Sequence, residues 1–334
     1  MRKVRLIMLL GLVMSLAVFG GSPVQAAPGD ILVYTGNAAL NEGYSLFGTA
    51  AGRPVVVSGV LPPDITPNSC VILPINALRF SAAQKAQFLS FVQGGGTLIA
   101  LAEHGGFPGS ISTMNDLADG LGSTMDVVSA FLDGGFNNTT NINPDPLTTG
   151  VTRLRYAAGS EVTPGASGRR LVRFNSAPTR AFIAAQQLGS GEFVLSGDSN
   201  WASNNSGGAY TDPTVHNAQF AKNLCGVLPT TLAANPVIAN VDTLTVYLTL
   251  SARLTRTTGG SPVSGQTIAF SAGGPTLCSG VTNANGDASC GAVVEIVAVV
   301  LNLGTYDATF AGASRFGPSS DSASLLVLAG GDIP

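Results

Sequence analysis

The chain has 334 residues, only 10% of which are charged, and its formal net charge is −3. This mildly acidic balance argues against nucleic acid or an anionic lipid surface as a partner. The charged fraction lies well below the roughly 25% of an average domain, so Ser, Thr, Asn and Gly must supply the polar surface. The length exceeds the roughly 250–300 residues that one hydrophobic core usually serves, which predicts two domains.

The N-terminus has the order of a secretory signal peptide. Arg2, Lys3 and Arg5 precede an apolar run over residues 6–19, and a small-residue pattern ending at Ala26 follows. The run is shorter than the roughly 20 residues that cross a bilayer, so a membrane anchor is the weaker alternative. We predict a signal peptide over residues 1–26 and a secreted, periplasmic or cell-surface protein without a membrane span after cleavage.

Strand and helix patterns alternate from residue 30 to about residue 228. Short, continuous apolar runs bounded by Gly or Pro lie at residues 31–34, 55–57, 70–73 and 98–101. Such runs are typical of parallel strands covered on both faces. Further strands are predicted beyond a long surface loop at residues 134–150, over residues 153–156, 170–174, 181–185 and 192–195.

Two helices of this region lie between the strands. Ser81 and Gln84 have the spacing of a capping box, and the glycines at residues 94–96 end the helix that they begin. A second, shorter helix is predicted over residues 115–121. Helices that connect parallel strands cover the faces of the sheet, so the predicted architecture has three layers.

A last helix is predicted to start with Asp212 as cap and Pro213 as first residue and to stop at Cys225. Asn217 falls in its apolar stripe. A buried amide needs hydrogen-bond partners, which we expect in the loop after Asp198.

The pattern changes after Pro229. Apolar residues occupy every second position over residues 244–254, which indicates a half-buried strand. Turn clusters then separate further predicted strands at residues 266–271, 277–282, 287–290, 304–310 and 324–328. Short strands with regular turns and no helix predict a β-sandwich, so we place the domains at residues 27–228 and 229–334.

Four cysteines follow the signal peptide, and an exported chain can keep disulfides. Cys278 and Cys290 flank a turn, whereas Cys70 and Cys225 both fall in the first domain. One bridge per domain is the simplest of the three connectivities. Metal binding by the cysteines is disfavoured because no short ligand spacing is present.

The second domain resembles the bacterial Ig-like domains of invasin-type surface proteins. The matching segments are residues 260–265 leading into 267–270, residues 281–288 and residues 304–310. The resemblance implies a spacer or adhesion module and transfers no catalytic residue.

The first domain resembles the class I glutamine amidotransferase-like superfamily, whose sheet is flavodoxin-like. The matching segments are residues 71–74, 88–102, 145–151 and 191–198. Active members carry a cysteine between glycines on a tight strand-to-helix turn. Neither Cys70, at a strand start, nor Cys225, at a helix end, has that setting, so the resemblance implies the fold without the nucleophile.

The candidate site lies where two predicted strands end. Glu103 and His104 follow the strand at residues 98–101, and Asp198 follows the strand at residues 192–195. Ligands of open α/β sheets bind at that edge. Together with His216 these residues offer two imidazoles and two carboxylates, enough for a divalent metal or for general acid and base catalysis. Capping and bracing of loops by the same residues is the structural alternative.

Ser199 with His104 as base is a weaker catalytic candidate, because the glycine-serine-glycine elbow of a hydrolase is missing. Trp201 either packs in the core or offers a sugar-stacking face. The sequence therefore favours an exported, non-catalytic binding or structural protein that recognises a protein or carbohydrate surface without a cofactor. A secreted, metal-assisted hydrolase using Glu103, His104, Asp198 and His216 is the alternative.

Overall fold

The structure is a computed structural model that describes residues 29–105, 107, 109–241, 245–257, 260–295, 304–313 and 315–329. The predicted signal peptide at residues 1–26 lies outside the described residues, as does Leu244 of the alternating pattern. We call residues 29–226 the α/β part and the later described residues the β part.

The α/β part mixes strands and helices. Its strands are β1 (Ile31–Tyr34), β2 (Val55–Ser58), β3 (Cys70–Leu73), β4 (Thr97–Leu101), β5 (Asp126–Leu132), β6 (Asn137–Thr139), β7 (Leu154–Tyr156), β8 (Gly159–Thr163), β9 (Arg169–Arg173), β10 (Ala181–Leu188) and β11 (Gly191–Ser196). Its helices are α1 (Ser45–Ala51), α2 (Ala82–Gln93), α3 (Ser110–Gly120) and α4 (Asn217–Cys225).

Seven of these strands form the central sheet, in the order β2-β1-β3-β4-β11-β10-β9. The strands from β2 to β11 run parallel, and β10 and β9 extend the sheet antiparallel. The prediction of a largely parallel sheet is confirmed. Every residue of β1, β3 and β4 is buried, which explains why these strands read as unbroken apolar runs.

Helices cover both faces of the sheet. Val33 faces a core that includes Phe220 of α4 and residues of α1, whereas its neighbour Leu32 faces a core with Phe88 of α2 and residues of α3. Alternate residues of a strand point to opposite faces, so one strand serves both cores. The predicted three layers are present.

The start of α2 agrees with the capping box predicted from the sequence. Ser81 Oγ accepts from the Gln84 backbone N–H at 3.2 Å, and Gln84 Oε1 accepts from the Ser81 N–H at 2.9 Å. The capping box is thus confirmed. The predicted start of the last helix at Asp212 is wrong, because α4 begins at Asn217. Asp212 instead bonds to Thr214 and forms an ion pair with Arg155.

Two further corrections concern short elements. The sequence did not indicate α1, whose N-cap Tyr44 provides no side-chain hydrogen bond. The predicted surface loop at residues 134–150 contains β6 and a 3₁₀ turn at Pro146–Thr148, where Asp145 caps the Leu147 N–H at 2.9 Å.

The β part consists of two sheets that enclose one core. Its strands are β12 (Thr230–Ala234), β13 (Val237–Val241), β14 (Thr245–Arg256), β15 (Thr267–Ser271), β16 (Thr276–Val281), β17 (Asp287–Glu295), β18 (Thr305–Phe310) and β19 (Ser319–Ala329). The sheets have the orders β12-β14-β17 and β13-β19-β18-β15-β16. Leu250, Phe270 and Tyr306 are buried between them. The predicted all-β character is present in the described residues, but the prediction of short strands is wrong for β14 and β19, which have 12 and 11 residues.

One disulfide lies in each part. Cys70 at the start of β3 is bonded to Cys225 at the end of α4, and Cys278 of β16 is bonded to Cys290 of β17. This is the connectivity that the sequence favoured as the simplest.

The β part contacts the α/β part through the loop that precedes β19. Arg315 Nη1 donates to Thr97 Oγ1 at 2.7 Å, and Arg315 Nη2 donates to the Asn223 carbonyl at 2.9 Å. Phe316 packs against Gly95, where an added Cβ would meet the ring at 3.0 Å. These contacts join the β part to the amino-terminal edge of the central sheet.

Candidate functional site

The candidate site is a pocket of about 200 Å³ at the carboxyl ends of the parallel strands. The loops after β1, β3, β4 and β11 meet there. Strand order reverses between β1 and β3, so this edge is the topological switch point at which open α/β sheets bind ligands. The lining residues are Leu40, Glu42, Ile75, Glu103, His104, Phe107, Gly135, Ala157, Ala158, Asn200 and Asn205.

Glu103 lies at the base of the pocket, two residues beyond β4. The residue is only 3% exposed. Oε1 accepts from the His104 N–H at 3.0 Å, and Oε2 accepts from the Ser199 N–H at 3.3 Å. Burial raises the pKa of Glu103 to about 7, and the neighbouring Glu42 adds to the rise, although these hydrogen bonds oppose it.

Ser199 joins two carboxylates. Its Oγ lies 3.0 Å from Glu103 Oε2 and 2.9 Å from Glu42 Oε2. A hydroxyl has one proton, so it donates a hydrogen bond to one carboxylate and accepts a hydrogen bond from the other only if that other group is protonated. With its pKa raised to about 7, Glu103 is the carboxyl that holds this proton at pH values below about 7. The arrangement therefore holds one proton between two acidic side chains.

Glu42 is a site residue that the sequence analysis missed. It lies in the loop after β1, and its Oε1 accepts from Asn205 Nδ2 at 3.0 Å and from Asn200 Nδ2 at 3.4 Å. Glu103 was selected because it is a polar side chain directly after a buried strand. Glu42 also follows a buried strand, β1, but it lies eight positions past the strand end, so the same criterion did not select it.

Asp198 is brought close to Glu103 but does not line the pocket. It is fully buried, and its carboxylate accepts from the backbone N–H groups of Ala157, Asn200 and Trp201 at 3.3, 3.1 and 3.3 Å. Burial and the charge of Glu103 raise its pKa, against the effect of these three donors. The side chain braces the turn that carries Ser199.

His104 lies at the rim of the pocket among aromatic rings. Its ring centroid is 5.2 Å from that of Phe107 and 4.9 Å from that of Phe131, both edge to face. Phe131 is 62% exposed. The rim therefore combines an imidazole with accessible aromatic surface.

His216 is not part of this cluster. Its Nδ1 lies 3.1 Å from the Thr152 backbone nitrogen and 3.2 Å from Thr152 Oγ1, at the start of α4. The four-residue set of Glu103, His104, Asp198 and His216 is therefore not assembled. Within the described ranges, no group of three or more His, Cys, Asp or Glu side chains has the proximity to hold a metal ion.

The remaining candidates are structural. Trp201 is fully buried against Phe47 and Phe220, and its Nε1 donates to Ser196 Oγ at 2.9 Å. The sugar-stacking alternative for Trp201 is thus wrong. Asn217 is satisfied as predicted, because its Nδ2 donates to the Trp201 carbonyl at 3.0 Å, in the loop after Asp198.

The fold and the pocket define a mixed α/β protein with an acidic pocket at the carboxyl edge of a parallel sheet. The chain belongs to the DUF4350 family, a domain of unknown function, whose model matches residues 41–225. No curated protein matches the sequence. Among the described residues, no helix combines the length and apolarity needed to cross a bilayer.

Several solved structures are distantly similar. The mmIFT52 N-terminal domain is 13% identical with a TM-score of 0.45, and the match covers 57% of this chain and 93% of that one. The cytoplasmic protein STM3548 from Salmonella typhimurium is 10% identical with a TM-score of 0.43, and the match covers 58% of this chain and 97% of that one. A β-galactosidase from Bacillus circulans sp. alkalophilus is 12% identical with a TM-score of 0.38, and the match covers 80% of this chain and 42% of that one. Likenesses this distant transfer no activity.

Proposed function

We propose that the chain is an exported, non-catalytic binding protein of the bacterial envelope or extracellular space. In this proposal residues 27–228 are a flavodoxin-like, amidotransferase-like domain that binds a ligand, and residues 229–334 are an Ig-like spacer. The order β2-β1-β3-β4-β11 with helices on both faces supports the first assignment. The two sheets around one core support the second, and the disulfides support an oxidising location.

The chemistry of the pocket favours a carbohydrate ligand. Glu42 and the side-chain amides of Asn200 and Asn205 already bond to one another. Their remaining oxygen lone pairs can accept from sugar hydroxyls, and the second Nδ2–H of Asn205 can donate to them. The C–H faces of a sugar ring are apolar and fit against aromatic side chains such as Phe107 and the exposed Phe131. The pocket volume of about 200 Å³ suits one sugar unit at the end of a longer chain.

The nucleophile required for amide hydrolysis is missing from the described residues around the pocket. Both cysteines of the α/β part, Cys70 and Cys225, are joined in a disulfide. Ser199 Oγ bonds to the carboxylates of Glu42 and Glu103, not to an imidazole that would activate it. These observations favour binding over catalysis.

The observation that carries the proposal is the meeting of Glu42, Asn200, Asn205 and the aromatic rim at the switch point of the sheet. The test is calorimetric titration of the purified chain with neutral tetrasaccharides of glucose, xylose and N-acetylglucosamine. We expect saturable binding of at least one sugar, weakened at least tenfold by Glu42→Gln. Asp126→Asn removes an exposed carboxylate outside the pocket and should leave the affinity unchanged.

Two results would overturn the proposal. If none of the sugars binds, or if Glu42→Gln binds as tightly as the native chain, the pocket is not a carbohydrate site. Release of shorter sugars during incubation, measured by chromatography, would instead establish a hydrolase and remove the non-catalytic assignment.

A further inference from the structure

A second cavity, of about 650 Å³, lies between the α/β part and the β part. It opens at the amino-terminal edge of the central sheet, near Thr97 at the start of β4 and Glu192 near the start of β11. The candidate carbohydrate pocket lies at the opposite, carboxyl edge. We call this second cavity the interdomain cleft. Three arginines line it, Arg169, Arg256 and Arg315.

Arg315 is a buried cation whose hydrogen-bond partners are neutral. The residue is 3% exposed. Its Nη1 donates to Thr97 Oγ1 at 2.7 Å and its Nη2 to the Asn223 carbonyl at 2.9 Å, while its buried Nε has no hydrogen-bond partner among the described residues. It forms no ion pair with a described carboxylate. The charge of Glu192 also favours the charged form of Arg315, but Glu192 forms its ion pair with Arg169. A buried charge without an ion-pair partner of its own is destabilising, so a further anion beside this guanidinium would be stabilising.

Arg256 adds a second cation beside it. Its Nε is also buried without a described partner, and its guanidinium lies 5.8 Å from the centroid of the Phe316 ring. Burial and the charge of Arg256 lower the pKa of Arg315 to about 10. The two guanidinium groups therefore repel each other across one wall of the cleft.

The acidic residues of the cleft are already paired. Arg169 Nε donates to Asp145 Oδ2 at 2.7 Å, and Arg169 Nη2 lies 3.2 Å from Glu192 Oε2. Asp145 and Glu192 are thereby matched to Arg169. Arg256 and Arg315 remain without an ion-pair partner among the described residues.

We propose that the interdomain cleft binds a small ligand through a carboxylate, phosphate or sulfate group held between Arg256 and Arg315. A guanidinium presents parallel N–H donors that fit two oxygens of one oxyanion. The anion would neutralise the repulsion between the two arginines. Gln187, Ser190, Ser261 and Ser264 also line the cleft and supply hydrogen-bonding groups for the rest of the ligand. The volume accommodates a body larger than a bare anion.

The test is calorimetric titration of the full chain with inorganic phosphate, sulfate and acetate, each against sodium chloride at the same ionic strength. We expect saturable binding of at least one of the three, with a parallel rise in melting temperature beyond that in chloride. The tetrahedral and planar anions distinguish which oxyanion geometry the cleft selects.

Arg256→Gln is the main variant, because it leaves the hydrogen bonds of Arg315 in place. We expect it to weaken anion binding at least tenfold. Arg253→Gln, on the same strand but exposed and outside the cleft, is the matched control and should bind as the native chain does. Circular dichroism checks that both variants are folded.

Arg315→Lys keeps the charge but loses the parallel donors, and we expect it to bind the anion more weakly than the native chain. The proposal fails if no anion binds saturably, if chloride has the same effect, or if Arg256→Gln and Arg253→Gln bind equally well. These results are independent of sugar binding, since Glu42 and the arginines lie at opposite edges of the sheet.

Discussion

Ser199 Oγ lies 3.0 Å from Oε2 of Glu103, and both residues are almost completely buried. The same hydroxyl lies 2.9 Å from Glu42 Oε2. This chain of three side chains connects the loops after β1, β4 and β11. Because it needs a proton on one carboxylate, the organisation of the pocket depends on pH.

The first prediction concerns that pH dependence. Burial raises the pKa of Glu103 to about 7 from an ordinary 4.5, so the folded chain holds this proton more tightly than the unfolded chain does. The free energy of unfolding should therefore fall as pH rises from about 4.5 to about 7, by about 3 kcal/mol from this group. The raised pKa of Asp198 acts in the same direction.

Urea denaturation at pH 5 and pH 8 measures the effect. Glu103→Gln cannot ionise, so it should reduce the difference between the two pH values, whereas Asp126→Asn should retain the native difference. An equally large difference in native chain and Glu103→Gln would show that Glu103 does not hold the proton.

A second prediction follows from the position of Ser199 between the two carboxylates. Ser199→Ala removes the hydroxyl and leaves an oxygen of Glu103 buried without that partner, so we expect a loss of about 1–3 kcal/mol in the free energy of unfolding. Ser167→Ala, in an exposed turn, is the control and should change stability little. Equal stability of the two variants would contradict the structural importance of the shared hydroxyl.

The two disulfides should differ in their contribution to stability. Cys70 and Cys225 are 155 residues apart, and Cys278 and Cys290 are 12 residues apart. The chain-entropy model gives about 5 kcal/mol for the long loop and about 3 kcal/mol for the short one. Replacing each pair with alanines and measuring unfolding by urea tests this order. A larger loss from the short loop would show that unfolded-chain entropy is not the main contribution.

The last prediction concerns Asn217. Its amide accepts from the Arg155 N–H at 2.9 Å and donates to the carbonyls of Arg155 and Trp201 at 2.8 and 3.0 Å. Asn217→Leu keeps the side-chain size but leaves these buried groups unpaired, so we expect a loss of about 3 kcal/mol. Gln219→Leu, half-buried on the same helix, should cost less than 1 kcal/mol. Similar losses in both would indicate that the helix surface, not the amide, determines the cost.

Features encoded by neighbouring residues could be predicted from the sequence. The capping box of Ser81 and Gln84 is a local pattern, and burial on both faces makes the parallel strands continuous apolar runs. The need of Asn217 for partners also followed from its place in an apolar stripe. In each case the physical cause lies within a few residues of the feature.

What the sequence did not predict depends on distant contacts. Asp212 and Pro213 have the pattern of a helix start, and Asp212 accepts from the Thr214 N–H and pairs with Arg155, but α4 begins only at Asn217. Whether His216 meets Glu103 depends on the order of strands and on the path of the loops, which no local spacing encodes. Glu42 joins the pocket for the same reason, across the reversal of strand order between β1 and β3.

The bond between Cys70 and Cys225 makes the intervening chain a covalent ring that runs from the start of β3 to the end of α4. A protease that nicks the exposed turn at residues 165–167 would therefore leave both fragments attached. They would migrate as one species on a gel until a reducing agent separates them. Cleavage of this kind would therefore leave the two fragments covalently joined.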